Sequence, residues 1–282
     1  MAEPGVVLVT GATGRVGRQV VAGLLAAGAA VRAVARDPAV ARLPAGTEVV
    51  RGDLTDPGSL AGHLGGVHAA FLLWPGFSAA GAGPLVDALA SRVPRIVYLS
   101  AMNVTDDRPP ADNGVWGQVE DAITRTGAER TFLRVGGFAA NTLVWADQIR
   151  SGVVRWPYGR AARSLIHERD TAAVAVRALT SGGHAGATYV LTGPEAVTQA
   201  EQARIIGEAI GRPVRWQDVP PEQAREHLLP VMGDPAVVDG ALRYWACLVT
   251  EPEPVTRTVE EVTGVPALTF REWAADHAAD FR

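Results

Sequence analysis

Lysine is absent from this chain: all 26 basic residues among its 282 are arginine. That excludes a Schiff-base enzyme, a Walker A phosphate loop and a Tyr/Lys catalytic pair, because each needs an ammonium that a guanidinium does not replace. An alanine-rich composition with arginine in place of lysine is also what a GC-rich coding sequence produces, and the chemical exclusion holds whatever the cause. Cysteine is nearly as scarce. Cys247 stands alone, so an intrachain disulfide and a multi-cysteine zinc or iron-sulfur site are excluded, and a reducing compartment fits. No apolar run free of charge reaches the roughly 18 residues of a transmembrane helix. The net charge is -4 and the arginines are scattered singly, so neither a nucleic-acid nor a membrane partner is expected. MAEPG at the start has no basic region followed by a long apolar stretch, which predicts no secretion signal and a cytoplasmic address. The sequence has no HExxH zinc motif, and His63 and His68 straddle a glycine pair, so no metal is expected. A G-x-S-x-G nucleophile elbow is missing too, which sets serine hydrolases aside.

What is present is an ordinary globular composition, 48% hydrophobic and 20% charged, at a length that suits one large domain or a core with a smaller appendage. The first half alternates β-rich runs, at 6–10, 30–35, 48–51, 69–73, 95–100 and 130–135, with segments of helical period. The runs are apolar on both faces, as buried parallel strands are. This predicts an α/β fold, a Rossmann-type doubly wound parallel sheet over about residues 1–150. After residue 135 the alternation loosens, and shorter strands at 155–157, 163–167, 188–191 and 214–219 predict a smaller mixed α/β C-terminal portion, about 151–282, interdigitated with the first. Thr198 and Thr269 read as helix N-caps, as does Asp170 ahead of an Ala/Val-rich helix.

Gly11-Ala12-Thr13-Gly14-Arg15-Val16-Gly17 follows the first strand and opens a helix, the context in which a glycine motif is informative. Its glycines allow a tight turn and close approach of backbone to a pyrophosphate, with Gly11, Thr13, Gly14, Arg15 and Val16 as the expected contacts and helix-start N–H groups facing the phosphates. The spacing is GxxGxxG rather than GxGxxG. A cation at the end of the second strand suits a 2'-phosphate, whereas a carboxylate suits a free ribose hydroxyl. Arg36 stands there, with Arg15 to flank it, which favours NADPH; Asp37 keeps NADH open. Asp53, with Leu54 beside it, closes the third strand, where its carboxylate would accept from an adenine amino group or simply form a turn.

These motifs continue in Tyr98-Leu99-Ser100-Ala101, the 119–127 helix, Leu133-Arg134-Val135-Gly136-Gly137-Phe138 with Asn141, and His167 to Asp170 before Val174-Ala175. On them the chain resembles, over nearly its whole length, the NmrA-like atypical short-chain dehydrogenase/reductase family, close to its quinone oxidoreductase 2-like and azoreductase-like branch. The resemblance implies an NADP(H)-binding cleft and a C-terminal portion that shapes the substrate pocket. It further implies that Leu73, Trp74 and Ser100 line the nicotinamide half of the cofactor, with Val135 and Gly136 at that end.

The chain departs from short-chain reductases where the acid is usually placed. Trp116 and Glu120 have the Y-x-x-x-K spacing with neither residue type. An isolated ketone needs a proton as its alkoxide forms, whereas a quinone spreads the charge and is protonated later by water. The expected function is therefore NADPH-dependent hydride transfer to a small quinone-like or aromatic carbonyl acceptor. Trp74, Trp116, Trp145 and Trp156 are available to face a flat ring or to pack in the core. Ser100, Trp116 and His167 are the residues left for a catalytic assignment, His167 because an imidazole can donate a proton near neutrality. The alternative is a non-catalytic NADP(H) sensor of the NmrA type, and a homodimer is compatible with either reading.

Overall fold

The computed structural model describes residues 5–76 and 78–282. In chain order the elements are β1 (Val6–Val9), α1 (Arg15–Ala26), β2 (Ala30–Ala35), β3 (Thr47–Arg51), β4 (Val67–Leu72), α2 (Ala82–Ala90), β5 (Arg95–Ala101), α3 (Gly114–Arg125) and β6 (Glu129–Val135). There follow α4 (Ala146–Arg150), β7 (Val153–Trp156), β8 (Ala162–Arg163), α5 (Glu168–Thr180), β9 (Thr188–Leu191), β10 (Val197–Thr198) and α6 (Gln199–Ala209). The chain closes with β11 (Arg215–Asp218), α7 (Pro221–Met232), α8 (Pro235–Cys247), α9 (Thr258–Thr263) and α10 (Phe270–Asp276). None of the described helices is long and apolar enough to cross a membrane.

Two compact units interleave along the chain. The first takes Met1–Gly136, Glu168–Leu191 and Thr258–Val265; the second takes Gly137–His167, Thr192–Arg257 and Pro266–Arg282. In the first, seven strands form one sheet in the order β3-β2-β1-β4-β5-β6-β9, with every pairing parallel. The expected Rossmann-type sheet is thus present. β1 and β4 supply fully buried runs, Val7 to Val9 and Ala69 to Leu72, as central parallel strands must. Helix α1 buries Val16, Gly17, Val20, Val21 and Leu24, a single stripe at helical spacing. It packs on α5, while α2 packs on α3, so the sheet is covered by two helix layers. The strand order reverses between β1 and β4, and a doubly wound sheet binds its ligand at the carboxyl ends of the strands flanking such a reversal.

The second unit contains two ribbons, parallel β7/β11 and antiparallel β8/β10, set among α4, α6, α7, α8 and α10. Its core includes Trp145, Trp156, Trp245, Phe270 and Trp273. Thr198 caps α6 by accepting from Glu201 N, and Thr269 caps α10 through a reciprocal capping box with Glu272, as expected.

Three expectations need correction. The strand at 188–191 forms as β9, but as the seventh strand of the main sheet, where it pairs with β6. The strand at 163–167 shrinks to Ala162–Arg163, with an isolated bridge at Ile166, because Ser164 N donates to the Glu253 carboxylate at 2.9 Å instead of to a neighbouring strand. Asp170 lies inside the first turn of α5, which begins at Glu168, and so is not its cap.

The third glycine of the turn is a packing requirement. A Cβ on Gly17 would lie 2.1 Å from Gly11 O and 2.8 Å from Ala12 Cα, both backbone atoms that cannot swing aside. Gly17→Ala should destabilise the protein by about 1–3 kcal/mol through overpacking. Urea unfolding measures this as a lowered midpoint, and an unchanged midpoint would contradict the close approach.

Candidate active site

Thr10, fully buried at the end of β1, ties that strand to the end of β4: its Oγ1 donates to Phe71 O (3.2 Å) and accepts from Leu73 N (2.8 Å). The chain then turns at Gly11, whose φ of +60° lies in the left-handed region that glycine enters freely. Gly14 N donates to Gly11 O at 2.9 Å and Gly14 opens α1, with no side chain capping the helix. Thr13, Gly14 and Arg15 are exposed while Val16 is buried, so the turn offers backbone to solvent and seats itself through Val16. Uncapped N–H groups at a helix start are an anion site, reinforced by the helix dipole.

Arg36, beyond β2, is exposed. Neither it nor Arg15 makes a hydrogen bond or ion pair among the described residues. Asp37 is engaged through one oxygen: its Oδ1 accepts from Ala39 N at 3.2 Å, capping a short 3-10 turn, and lies 3.9 Å from Arg51. Arg18, which sequence reasoning missed, fixes the frame between the two loops. Its guanidinium donates to Thr13 O (2.8 Å), Arg42 O (2.8 Å) and Ala41 O (3.2 Å). An arginine one turn into the helix was the only signal, because its acceptors are backbone carbonyls that no residue type marks. Beside Leu54, which is buried, Asp53 accepts from Thr55 N and Thr55 Oγ1 through Oδ1 alone. Those bonds, with a smaller contribution from the charge of Arg36, hold its carboxyl below the usual range and leave Oδ2 available.

The residues expected near the nicotinamide are placed differently from one another. Leu73 sits against Gly11, with its side chain 3.2 Å from where a Cβ would be. Trp74 is packed into the core of the sheet, and its Nε1 donates to Ser78 O at 2.8 Å. Val135 is buried and Gly136 half-buried at the end of β6, where Gly136 N donates to Leu191 O at 3.1 Å. Ser100 is buried and donates to Glu120 Oε1 at 2.5 Å, so its hydroxyl is committed inside the fold. Trp116 is half-buried against the same core. Trp145 and Trp156 pack edge to face at 6.0 Å in the core of the second unit. The indole platform admitted by the sequence is thus core packing for Trp74, Trp145 and Trp156.

Glu120, the residue at the Lys spacing, is buried and meets the fork of Arg134: Nε to Oε1 at 3.0 Å and Nη2 to Oε2 at 2.7 Å. Arg134 Nη2 also reaches Asp106 at 2.6 Å, anchoring the loop after β5. Hydrogen bonding to Glu120 pushes the guanidinium still further up, against the opposing effect of burial, so it stays protonated. The tyrosines do not fill the vacancy. Tyr98 is fully buried, its OH unpartnered and its pKa raised by burial and by Glu120. Tyr189 bonds His184 at 2.8 Å and Tyr244 donates to Glu253 at 2.6 Å. Tyr158 is half-buried in a left-handed turn at φ 59°. His167 ends no strand; it is 2% exposed, with Nε2 3.3 Å from Asp276 Oδ2. Its ring lies 5.9 Å from His277, which stacks on Trp273 at 4.6 Å.

A model of the NmrA-like family matches residues 3–244. The chain belongs to the NmrA-like family. It is 40% identical over 286 residues to the (4-alkanoyl-5-oxo-2,5-dihydrofuran-3-yl)methyl phosphate reductase of Streptomyces griseus subsp. griseus, covering 98% of this chain and 99% of that one. It is 37% identical over 284 residues to the NAD(P)H azoreductase of Xenophilus azovorans, with coverage of 98% and 99%. The solved NADPH-dependent quinone oxidoreductase of Escherichia coli in complex with NADPH matches with a TM-score of 0.79 at 25% identity, over 96% of this chain and 99% of that one.

In this NmrA-like protein the Glu120–Arg134 pair is an electrostatic unit whose members cannot be removed singly. Arg134→Met would strand a buried carboxylate and should cost about 3–5 kcal/mol. Adding Glu120→Leu should recover most of the loss, read as unfolding free energies of wild type, single and double variants. Equal instability of the single and double variants would contradict the pairing.

Proposed function

We propose that this protein is an NADPH-dependent oxidoreductase whose acceptor is a quinone or a similarly conjugated aromatic or polycyclic carbonyl. The observation that carries the reading is an uncapped helix N-terminus in a glycine turn, flanked by two unengaged guanidinium groups, Arg15 and Arg36. That donor set fits a dinucleotide with an additional phosphate: N–H groups of Thr13, Arg15 and Val16 for the pyrophosphate, Arg36 and Arg15 for the 2'-phosphate, and Asp53 Oδ2 for the adenine amino group. Asp37, which would serve a free ribose, gives its Oδ1 to a cap and keeps Oδ2 open, so the preference for NADPH rests on the two guanidinium groups. The relatives support the reading, being named for reduction of azo compounds, of a quinone and of a (4-alkanoyl-5-oxo-2,5-dihydrofuran-3-yl)methyl phosphate.

Bound in this cleft, NADPH would supply the hydride. The chain's own work is binding, orientation and exclusion of water, with Leu73, Val135 and Gly136 shaping the nicotinamide end. Ser100 and Tyr98 are withdrawn into the fold, so the proton that completes a reduced quinone comes from water after the hydride has moved. Trp116, half-buried against the sheet's core, is assigned to shaping the acceptor's surroundings and not to proton exchange.

Oxidation of NADPH and NADH by the purified protein with matched quinones and isolated ketones tests this. Turnover should be faster with NADPH and confined to conjugated acceptors. Faster turnover of isolated ketones would point to a protein acid such as His167, and tight NADPH binding without turnover on any acceptor would make the protein a sensor. Arg36→Ala should weaken NADPH by about 1.5–3 kcal/mol while sparing NADH. Equal losses for both in direct titration would remove Arg36 from the 2'-phosphate.

A further inference from the structure

A cavity of about 530 Å³ lies wholly within the first unit, walled by the end of α5, the turn that follows it, the start of β9 and α9. Small-molecule sites run from roughly 300 to 1,000 Å³. β9 pairs parallel with β6 and reaches the cavity through its first two residues, Thr188 and Tyr189. The cavity is therefore at the amino edge of the sheet, opposite the carboxyl edge that carries the glycine turn. A ligand held here is not the dinucleotide.

The turn that forms one wall is tied to the sheet on several sides. Ser181 O accepts from Arg95 Nη1 at 3.0 Å, His184 O accepts from Thr131 Oγ1 at 2.8 Å, and Gly186 N donates to Arg130 O at 2.8 Å. Such a wall is set before a ligand arrives. Its side chains have fixed proton roles as well. Ser181 Oγ donates its single hydrogen to Arg177 O at 2.6 Å, so at 3.1 Å from His184 Nε2 it accepts. Burial, together with the charges of Arg177 and Arg95, holds the His184 pKa below its usual value, so the ring is neutral with its one hydrogen on Nε2. Tyr189 OH then donates to Nδ1 at 2.8 Å, and the phenol oxygen is left as an acceptor.

Arg177 and Glu261 are exposed on the same cavity. Neither the guanidinium nor the carboxylate makes a hydrogen bond or ion pair among the described residues, so the two opposite charges do not neutralise each other. We propose that this cavity binds a free α-amino acid, with the carboxylate taken by the fork of Arg177 and the ammonium by Glu261 and the Tyr189 oxygen. Opposite charges that share a concavity without meeting complement a ligand carrying both signs, whereas a simple anion or cation faces one of them with the wrong sign. Neutral His184 adds no charge against the ammonium. The site is independent of the reductase reading.

Calorimetric titration of the common free L-amino acids into the full-length protein tests this. At least one should bind with a Kd of about 1 mM or below. Its N-acetyl and carboxamide derivatives, each lacking one charge, should bind about tenfold or more weakly. In Arg177→Gln the preference for the amino acid over its carboxamide should vanish, and in Glu261→Gln the preference over the N-acetyl derivative should vanish. Both side chains are exposed, so both variants should keep the wild-type Tm. No binding of any amino acid up to about 10 mM, equal binding of the derivatives by wild type, or a charge preference that survives both substitutions overturns the proposal.

Discussion

A buried carboxylate on α3 governs what this fold can do chemically. Glu120 stands where a lysine would depress the pKa of a neighbouring acid, and its negative charge has to be neutralised from β6 by Arg134, fourteen positions further along. Once that pair forms, Ser100 is drawn to it as a donor and Tyr98 is left beside a negative charge that opposes its ionisation. The same guanidinium reaches Asp106, so the loop after β5 is set by the interaction that removes the acid. In the function we propose, reduction proceeds without a protein proton donor in its first step, and the acceptor carries its own means of spreading charge.

With no lysine to call on, the chain divides cationic work among arginines by how much of each fork is committed. Arg18 is spent on three backbone carbonyls and acts as a brace between the glycine turn and the 41–42 segment. Arg134 is spent on two carboxylates. Arg163 is held by Glu253 and lies over the Tyr244 ring, whereas Arg15 and Arg36 make no hydrogen bond or ion pair among the described residues. The distinction is geometric, because the charge is the same in each: a saturated fork holds structure and an open one is available to a ligand.

Much of this was legible in the sequence where the signal is local. The buried strands, the glycine turn and the caps at Thr198 and Thr269 announce themselves within a few residues, and so does the mismatch at Trp116 and Glu120. What was not legible depends on partners brought from afar. That β9 joins the main sheet follows from pairing with β6, which a four-residue run does not specify. The fate of Ser164 and Arg163 depends on Glu253, some ninety positions away. The tryptophans were ambiguous for a related reason: Trp145 and Trp156 find each other in the second unit's core, and only the tertiary contact shows that they are not free to meet a ligand.

In the proposed reaction no group of the protein donates a proton during hydride transfer. Its most direct test is the rate of the chemical step in a single turnover of the NADPH complex with 1,4-naphthoquinone, followed across about pH 6 to 9. The rate should not change with pH over that range. A rate that falls with rising pH along a single ionisation would reveal a protein acid in the reacting complex and contradict it.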